Sequence, residues 1–413
     1  MNQFPLSASG VAPRGASDRL AIVLMSTILV SAIFFQKLTI PFGAGDVIFF
    51  GFFVLMALAG LGLLSGRLVV VPKRAAVYAL AMGIIAALQI INIERASLLS
   101  VIMLMLVHFP YILRFRSDAL SPRFELQRFQ ILMLAVAVLG ILQFALQFVV
   151  STDFAFFYDT LLLQTGHAPL FNYMNPVSMN SDYFKSNGVF MLEPSFFCQF
   201  LSICIMIELT VLQTWKRLPL YILALLVTFS GTGLMILFIL IPIYFLQQGR
   251  FFILAAAALV VFTAPLWAPL VGLEQLVNRS TEFTNIHSSG FARFISIFWI
   301  IRDFLVPDTL RFLVGYGAGT IGTIVPDAVD YESFDPTWGK LLFEYGIIGT
   351  LAYFAFFMTV LRSATVTAYL KVALVLMLML MGGYLIPPVV HSLIIALLAW
   401  PAPQPLTTKD IKS

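Results

Sequence analysis

Apolar runs of bilayer-crossing length recur from residue 20 to residue 400, and no fold that lives in water can hide them all. Of 413 residues, 60% are hydrophobic and 11% are charged, with a mean hydropathy of +0.97. A soluble domain usually carries about 25% charged residues. Because the apolar runs cover the chain from end to end, the excess is not one anchor on a soluble body, and a water-soluble globule is excluded.

A span needs roughly 17 to 25 predominantly apolar residues, fewer where the helix is broken or shielded by neighbours. Twelve segments are candidates: 20–40, 46–65, 75–92, 97–113, 129–150, 190–213, 218–230, 232–247, 251–268, 340–361, 369–386 and 388–400. The seventh and eighth are short and joined by Ser230-Gly231-Thr232-Gly233, a turn-type cluster compatible with a shallow hairpin. The last is short and follows Pro387-Pro388. The expected fold is therefore an all-α polytopic membrane protein, one integral membrane domain over 1–413, with about twelve transmembrane helices and ten to twelve as the range. The polar start followed by an apolar run from Leu20 resembles a signal peptide, but Phe34-Phe35-Gln36-Lys37 offers no small-residue cleavage site, so a retained first helix is expected.

Twelve spans with a cytoplasmic N-terminus put sixteen of the 24 Lys and Arg residues inside and eight outside. Five of those eight lie in the single segment 269–340, which charge bias hardly constrains. This predicts both termini in the cytoplasm. It also accounts for the pI near 9.0 without nucleic acid as a partner. Two outer segments are long, 151–189 and 269–340, and both mix aromatics, Gly and Pro with charge, as ordered loops containing short helices do. Cys198 and Cys204 sit six positions apart in one apolar helix, on different faces, so no disulfide is expected. Four scattered histidines without ligand spacing imply no metal, and no cofactor is expected.

The span interiors are nearly free of charge, whereas an ion-coupled transporter usually carries ionisable groups near the midplane. Charge gathers in 269–340, where four arginines meet eight carboxylates. Such a mixture beside a bilayer suits an anionic lipid-linked substrate; a solvated loop surface is the plainer alternative for the acids. Phe291 to Leu305 is apolar nearly all round and suits an interfacial helix, which makes Arg293 an unusual arginine. Its guanidinium either snorkels to lipid phosphate or grips a pyrophosphate bidentately. Arg302 lies nine positions on, about 180° round an ideal helix, so the two cannot share a site unless the helix breaks.

The first outer loop closes with Lys185-Ser186-Asn187-Gly188 and then Glu193-Pro194-Ser195 at the head of the sixth segment. The positive end of that helix together with Lys185 makes an anion site. Glu193 has three possible roles there: helix cap, arginine partner or base. Gly317-Ala318-Gly319-Thr320-Ile321-Gly322 matches GxGxxG but lacks a βαβ context, so it reads as a turn allowing close backbone approach and not as a dinucleotide site. The basic inner cluster from Arg114 to Arg128 reads as an anionic-lipid contact and topology signal.

In this order Asn187-Gly188, Glu193-Pro194-Ser195, Gly290 to Arg293, Gly315-Tyr316-Gly317-Ala318-Gly319 and Glu344-Tyr345-Gly346-Ile347-Ile348-Gly349 resemble the O-antigen polymerase and O-antigen ligase family of bacterial membrane glycosyltransferases, in its exopolysaccharide polymerase branch. The resemblance extends from about residue 125 to the closing helices. It departs from the ligases at Asp335-Pro336, where they carry a His-Asn pair, and Lys185 stands where the family often has arginine. Arg279 with Gly290, and Arg311 with Gly322, fit an Arg-x10-Gly spacing described for some polymerases.

The resemblance implies an enzyme of the cytoplasmic (inner) membrane that joins polyprenyl-pyrophosphate-linked oligosaccharide repeat units on its outer face. The runner-up is a ligase that moves a lipid-linked glycan to another acceptor; the reading from a different class is a lipid-linked oligosaccharide flippase. It implies Arg293 and Lys185 at the pyrophosphate, with Arg311 and Arg279 behind them. The base is Asp335 by alignment, with Glu193 and His287 as alternatives. Membrane lipids, a chain-length regulator and export machinery are the implied partners.

Overall fold

A computed structural model describes residues 16–42, 46–116, 122–165, 171–178, 181–271, 283–286 and 288–402. Helix makes up 71% of it, and strand is confined to two short antiparallel ladders, so the protein is all-α in character. Each of the twelve apolar segments forms a helix. In chain order these are α1 (Ala16–Phe34), α2 (Phe50–Leu64), α3 (Pro72–Ile91), α4 (Leu98–His108) and α5 (Pro122–Val149). After the short α6 (Thr152–Ala155) and α7 (Phe157–Thr165) come α8 (Pro194–Ile207), α9 (Leu218–Leu226), α10 (Gly231–Gln247) and α11 (Phe251–Trp267). The second long loop contains α12 (Ser289–Phe294), α13 (Ser296–Ile300), α14 (Thr309–Val314) and α15 (Ile321–Ala328). The chain closes with α16 (Thr337–Ser363), α17 (Ala368–Leu380) and α18 (Pro388–Ile394).

The expected span count is not reached by length. Four helices are long and apolar enough to cross a membrane unaided: Pro72–Ile91, Arg123–Val149, Pro194–Leu212 and Thr337–Ser363. The other apolar helices run 10–17 residues, about 15–25 Å at 1.5 Å per residue, short of the roughly 30 Å hydrocarbon core. Apolar composition without length marks a helix that is broken or shielded, and apolar runs alone cannot separate that from a full crossing. The two ladders were not expected from the sequence. Thr39–Phe42 pairs with Asp46–Phe49, and Leu68–Val70 pairs with Leu113–Phe115. In the second, Val69 and Val70 run extended into Pro72, which disfavours helix in the residue before it and then sits comfortably in the first turn of α3.

The centre of the bundle is α8. Every residue from Pro194 to Ile207 is buried, as an all-round apolar helix requires, whereas α3 and α5 bury only one stripe and turn the rest outward. Helix α10 lies against α8 at Gly233, where an added Cβ would sit 2.3 Å from the Cys198 carbonyl oxygen. Both cysteines are buried and unbridged. Helix α16 runs antiparallel to α3, with Arg74 near the start of α3 donating to Ser363 at the end of α16. The GxGxxG stretch rides on α16: Tyr316 N donates to Phe343 O at 2.9 Å and Gly317 N to Glu344 O at 3.0 Å. This close approach requires Gly346, whose φ of +62° kinks α16 and whose Cβ, if present, would meet Leu313 O at 2.3 Å.

Candidate functional site

A polar strap, 185–193, leads into the N-terminus of α8 and is held by buried side chains from three other elements. Gln143 of α5 accepts the Ser186 hydroxyl at 2.9 Å and the Asn187 amide at 3.2 Å, and its own amide donates to Asn187 Oδ1 at 3.1 Å. Gln36, just past α1, accepts the Leu192 amide at 3.1 Å. Lys37 donates to Asp159 of α7 and to Val189 O, and Asp159 in turn accepts both 3.2 Å bonds from Asn187 Nδ2. Lys37 and Asp159 side chains are both 0% exposed. Buried polar groups satisfied this fully rigidify what they hold, and here they hold the segment that carries Lys185 and Glu193.

Helix α12 reaches the same place from the second long loop. Ser288 caps it by accepting the Phe291 amide at 3.2 Å, and the helix ends at Phe294 because Ile295 departs from helical geometry. Arg293 sits in that last turn. Its Nη2 lies 3.4 Å from Glu193 Oε2, its Nη1 lies 3.4 Å from Met381 O, and its guanidinium stacks 5.8 Å from the centre of the Phe334 ring. Both polar contacts exceed the usual 2.7–3.2 Å, so the fork is not locked onto either partner.

Of the roles open to Glu193, that of arginine partner is met and that of helix cap is not. It occupies the N-cap position of α8 but makes no capping bond. Its Oε2 also accepts the Ser195 hydroxyl at 2.9 Å, and its Oε1 accepts the Asn172 amide at 3.0 Å.

Lys185, Glu193 and Arg293 together line a cavity of about 760 Å³. Asn175, whose Oδ1 accepts from Lys185 Nζ at 3.2 Å, and Ser195 complete its polar end. Much of the remaining lining is apolar, built from Leu234, Met235 and Phe238 of α10, Val260 and Trp267 of α11, and Phe294. Phe238 and Val260 are more than half exposed, so this wall continues onto the outer surface of the bundle. The Ser230-Gly231-Thr232 turn also lines the cavity, and Thr232 Oγ1 donates to Ser195 O at 3.2 Å. In the sequence that turn reads as the link of a short helical pair, with no site assigned to it. Its small polar residues between two apolar helices were the available signal that something other than a turn is built there.

The remaining candidates fall elsewhere. Asp335 does not line the cavity; Ser333 donates to its Oδ1 at 2.5 Å, and Ser333 in turn lies 2.9 Å from the Ser296 hydroxyl. Arg311 braces the loop, donating to Asn92 Oδ1 at the end of α3 and to Gly315 O at 3.3 Å, with the Tyr316 ring centre 5.2 Å away. Arg302 pairs with the adjacent Asp303 on the surface, on the far side of the break at Ile295. Arg279 and His287 lie outside the described residues.

Burial raises the Asp335 pKa, and its bond from Ser333 and the charge of Lys340 offset this only in part. A folded-state pKa above the ordinary 3.8 means that the folded protein binds more protons, so stability declines as pH rises from 3.8 to the raised value. Asp335→Asn keeps an acceptor for Ser333 and removes the charge. Its melting temperature is expected to match wild type at acid pH and to exceed it at pH 7, which a thermal-shift series in detergent checks.

No protein-family model matches the chain, and no curated protein matches its sequence.

Proposed function

We propose that this protein is a membrane glycosyltransferase that joins polyprenyl-pyrophosphate-linked oligosaccharide repeat units. The observation that carries the reading is the cavity itself. Two cations from separate loops, Lys185 and Arg293, stand at its polar end, and an apolar wall leads from them to the outside of the bundle. An amphiphile with a diphosphate head and an isoprenoid tail matches both halves. In this reading all twelve apolar helices cross or enter the bilayer, the N-terminus is cytoplasmic, and the cavity opens on the opposite face of the inner membrane. The basic residues Arg67, Arg74, Arg114 and Arg116 at the far end of the bundle suit that orientation.

An acceptor sugar hydroxyl attacks the anomeric carbon of the growing chain. The new glycosidic C–O bond forms as the bond to pyrophosphate breaks, and polyprenyl pyrophosphate leaves with the electron pair. Arg293 and Lys185 stabilise the charge that develops on the leaving group. Glu193, the carboxylate at the cavity, accepts the hydroxyl proton once the incoming diphosphate has drawn Arg293 away from it. Purified protein in liposomes with a lipid-linked repeat unit tests this. Longer lipid-linked chains are expected; transfer to a second acceptor without elongation would make it a ligase, and relocation without a new bond a transporter.

A further inference from the structure

A second cationic cluster lies at the other end of the bundle. Arg74 and Asn92 mark opposite ends of α3, eighteen positions or about 27 Å apart, and Asn92 is the end that meets the loop carrying Arg311. At the Arg74 end the ladder sets Val69 opposite Arg114, and Arg116 N continues it by donating to Arg67 O at 2.9 Å. Leu113 and Phe115 face the core, so alternation puts the Arg114 side chain on the ladder's other face.

Arg74 is 1% exposed and anchored on three carbonyls: Nη1 donates to Tyr111 O at 3.2 Å, Leu113 O at 3.1 Å and Ala399 O at 2.7 Å. Among the described residues its Nη2 has no partner, and Arg67 Nε and Arg114 Nε are likewise buried and unpartnered. Among the described residues no carboxylate forms an ion pair with any of the three, and Arg114 repels Arg74. Among the described residues these like charges and their unused N–H groups have no anion to meet. We propose that Arg67, Arg74 and Arg114 bind a phosphate group at the membrane boundary, supplied by an anionic lipid headgroup.

The donor set fits that chemistry. A tetrahedral anion accepts from several guanidiniums at once, which a lone surface ion pair does not require. Arg74 is fixed by its carbonyls, while Arg67 and Arg114 are only half-buried and give access from outside. Basic pockets between membrane helices take phospholipid headgroups in the same manner. The site is independent of the glycosyl-transfer reading and of the cavity.

Native mass spectrometry of the full-length protein, released from nanodiscs containing phosphatidylglycerol and phosphatidylcholine in equal amounts, tests it. Wild type is expected to retain phosphatidylglycerol. Arg67→Gln/Arg114→Gln, which spares the deeply set Arg74, is expected to retain it about ten- to thirty-fold less well. Lys216→Gln/Arg250→Gln removes the same charge elsewhere and is expected to behave as wild type. Equal retention by the two double variants would overturn the site. Adding inorganic phosphate at millimolar concentration separates the sources: undiminished lipid retention supports the headgroup, whereas phosphate binding that displaces the lipid overturns it in favour of the free ion.

Discussion

Arg293→Ala is expected to abolish chain elongation in the liposome assay, by roughly 10²–10³-fold or more, while the protein still inserts and melts near the wild-type temperature. The guanidinium is the group at the cavity whose contacts, both at 3.4 Å, leave its fork open to a diphosphate. Its contact with Glu193 is long, at 3.4 Å, and Glu193 keeps its bonds from the Ser195 hydroxyl and the Asn172 amide when the guanidinium is removed, so the loss is expected to cost little stability. Arg293→Lys keeps the charge and loses the fork, and it should fall between wild type and Arg293→Ala. Elongation at the wild-type rate by Arg293→Ala, measured from product length on a gel, would remove Arg293 from the mechanism. Normal elongation together with a lower melting temperature would make it a structural residue.

The apolar helices were legible because membrane spanning writes itself into composition, and all twelve segments form helices, with bounds that differ from the expected ones by up to about seven residues. Their lengths were less legible. Segment 388–400, for example, divides into a seven-residue α-helix and a π-turn beginning at Ile395, and nothing in a run of Leu, Ile and Ala marks that change. At the site, Arg293 stood out because a guanidinium in an apolar helix needs a reason, and Lys185 because it precedes a helix N-terminus. Convergence of the two on one cavity was not legible, because it joins segments more than a hundred positions apart, and the interruption at Ile295 was not legible either, since a β-branched residue inside an apolar run does not announce one. Asp335 was favoured by alignment to a motif, and alignment carries no information about which side of Phe334 a carboxylate lies on. Lys37 was invisible for a different reason. At the end of an apolar run a lysine reads as an interfacial anchor, and its partner Asp159 is 122 positions away.

That pair supports the other large effect. Lys37→Met leaves Asp159 buried beside an apolar side chain, and breaking a buried pair from one side costs about 3–5 kcal/mol, enough to deplete folded protein severely. Removing both charges is a different matter, because taking two ions out of water costs about as much as their attraction returns. Burial raises the Asp159 pKa even though Lys37 and Asn187 both oppose the shift, so the folded state binds more protons and stability declines as pH rises from 3.8 to the raised value. Lys37→Met/Asp159→Leu, which removes both charges, is therefore expected to recover most of the melting temperature lost in the single variant.

Recovery of the fold should not restore the reaction. Asn187 Nδ2 bonds both Asp159 oxygens and Tyr173 O, and Lys37 also holds Val189 O, so the double variant loosens the strap between Lys185 and Glu193, leaving it to Gln36 and Gln143. Elongation by the folded double variant is expected to fall at least about ten-fold, because displacing a charge-stabilising group by even 1 Å costs on the order of 10²-fold. Wild-type elongation alongside a recovered melting temperature would show that the pair supports folding alone. A double variant as unstable as Lys37→Met would show that the strap's remaining bonds to Gln36 and Gln143 cannot hold it, and that the ion pair stabilises the fold after all.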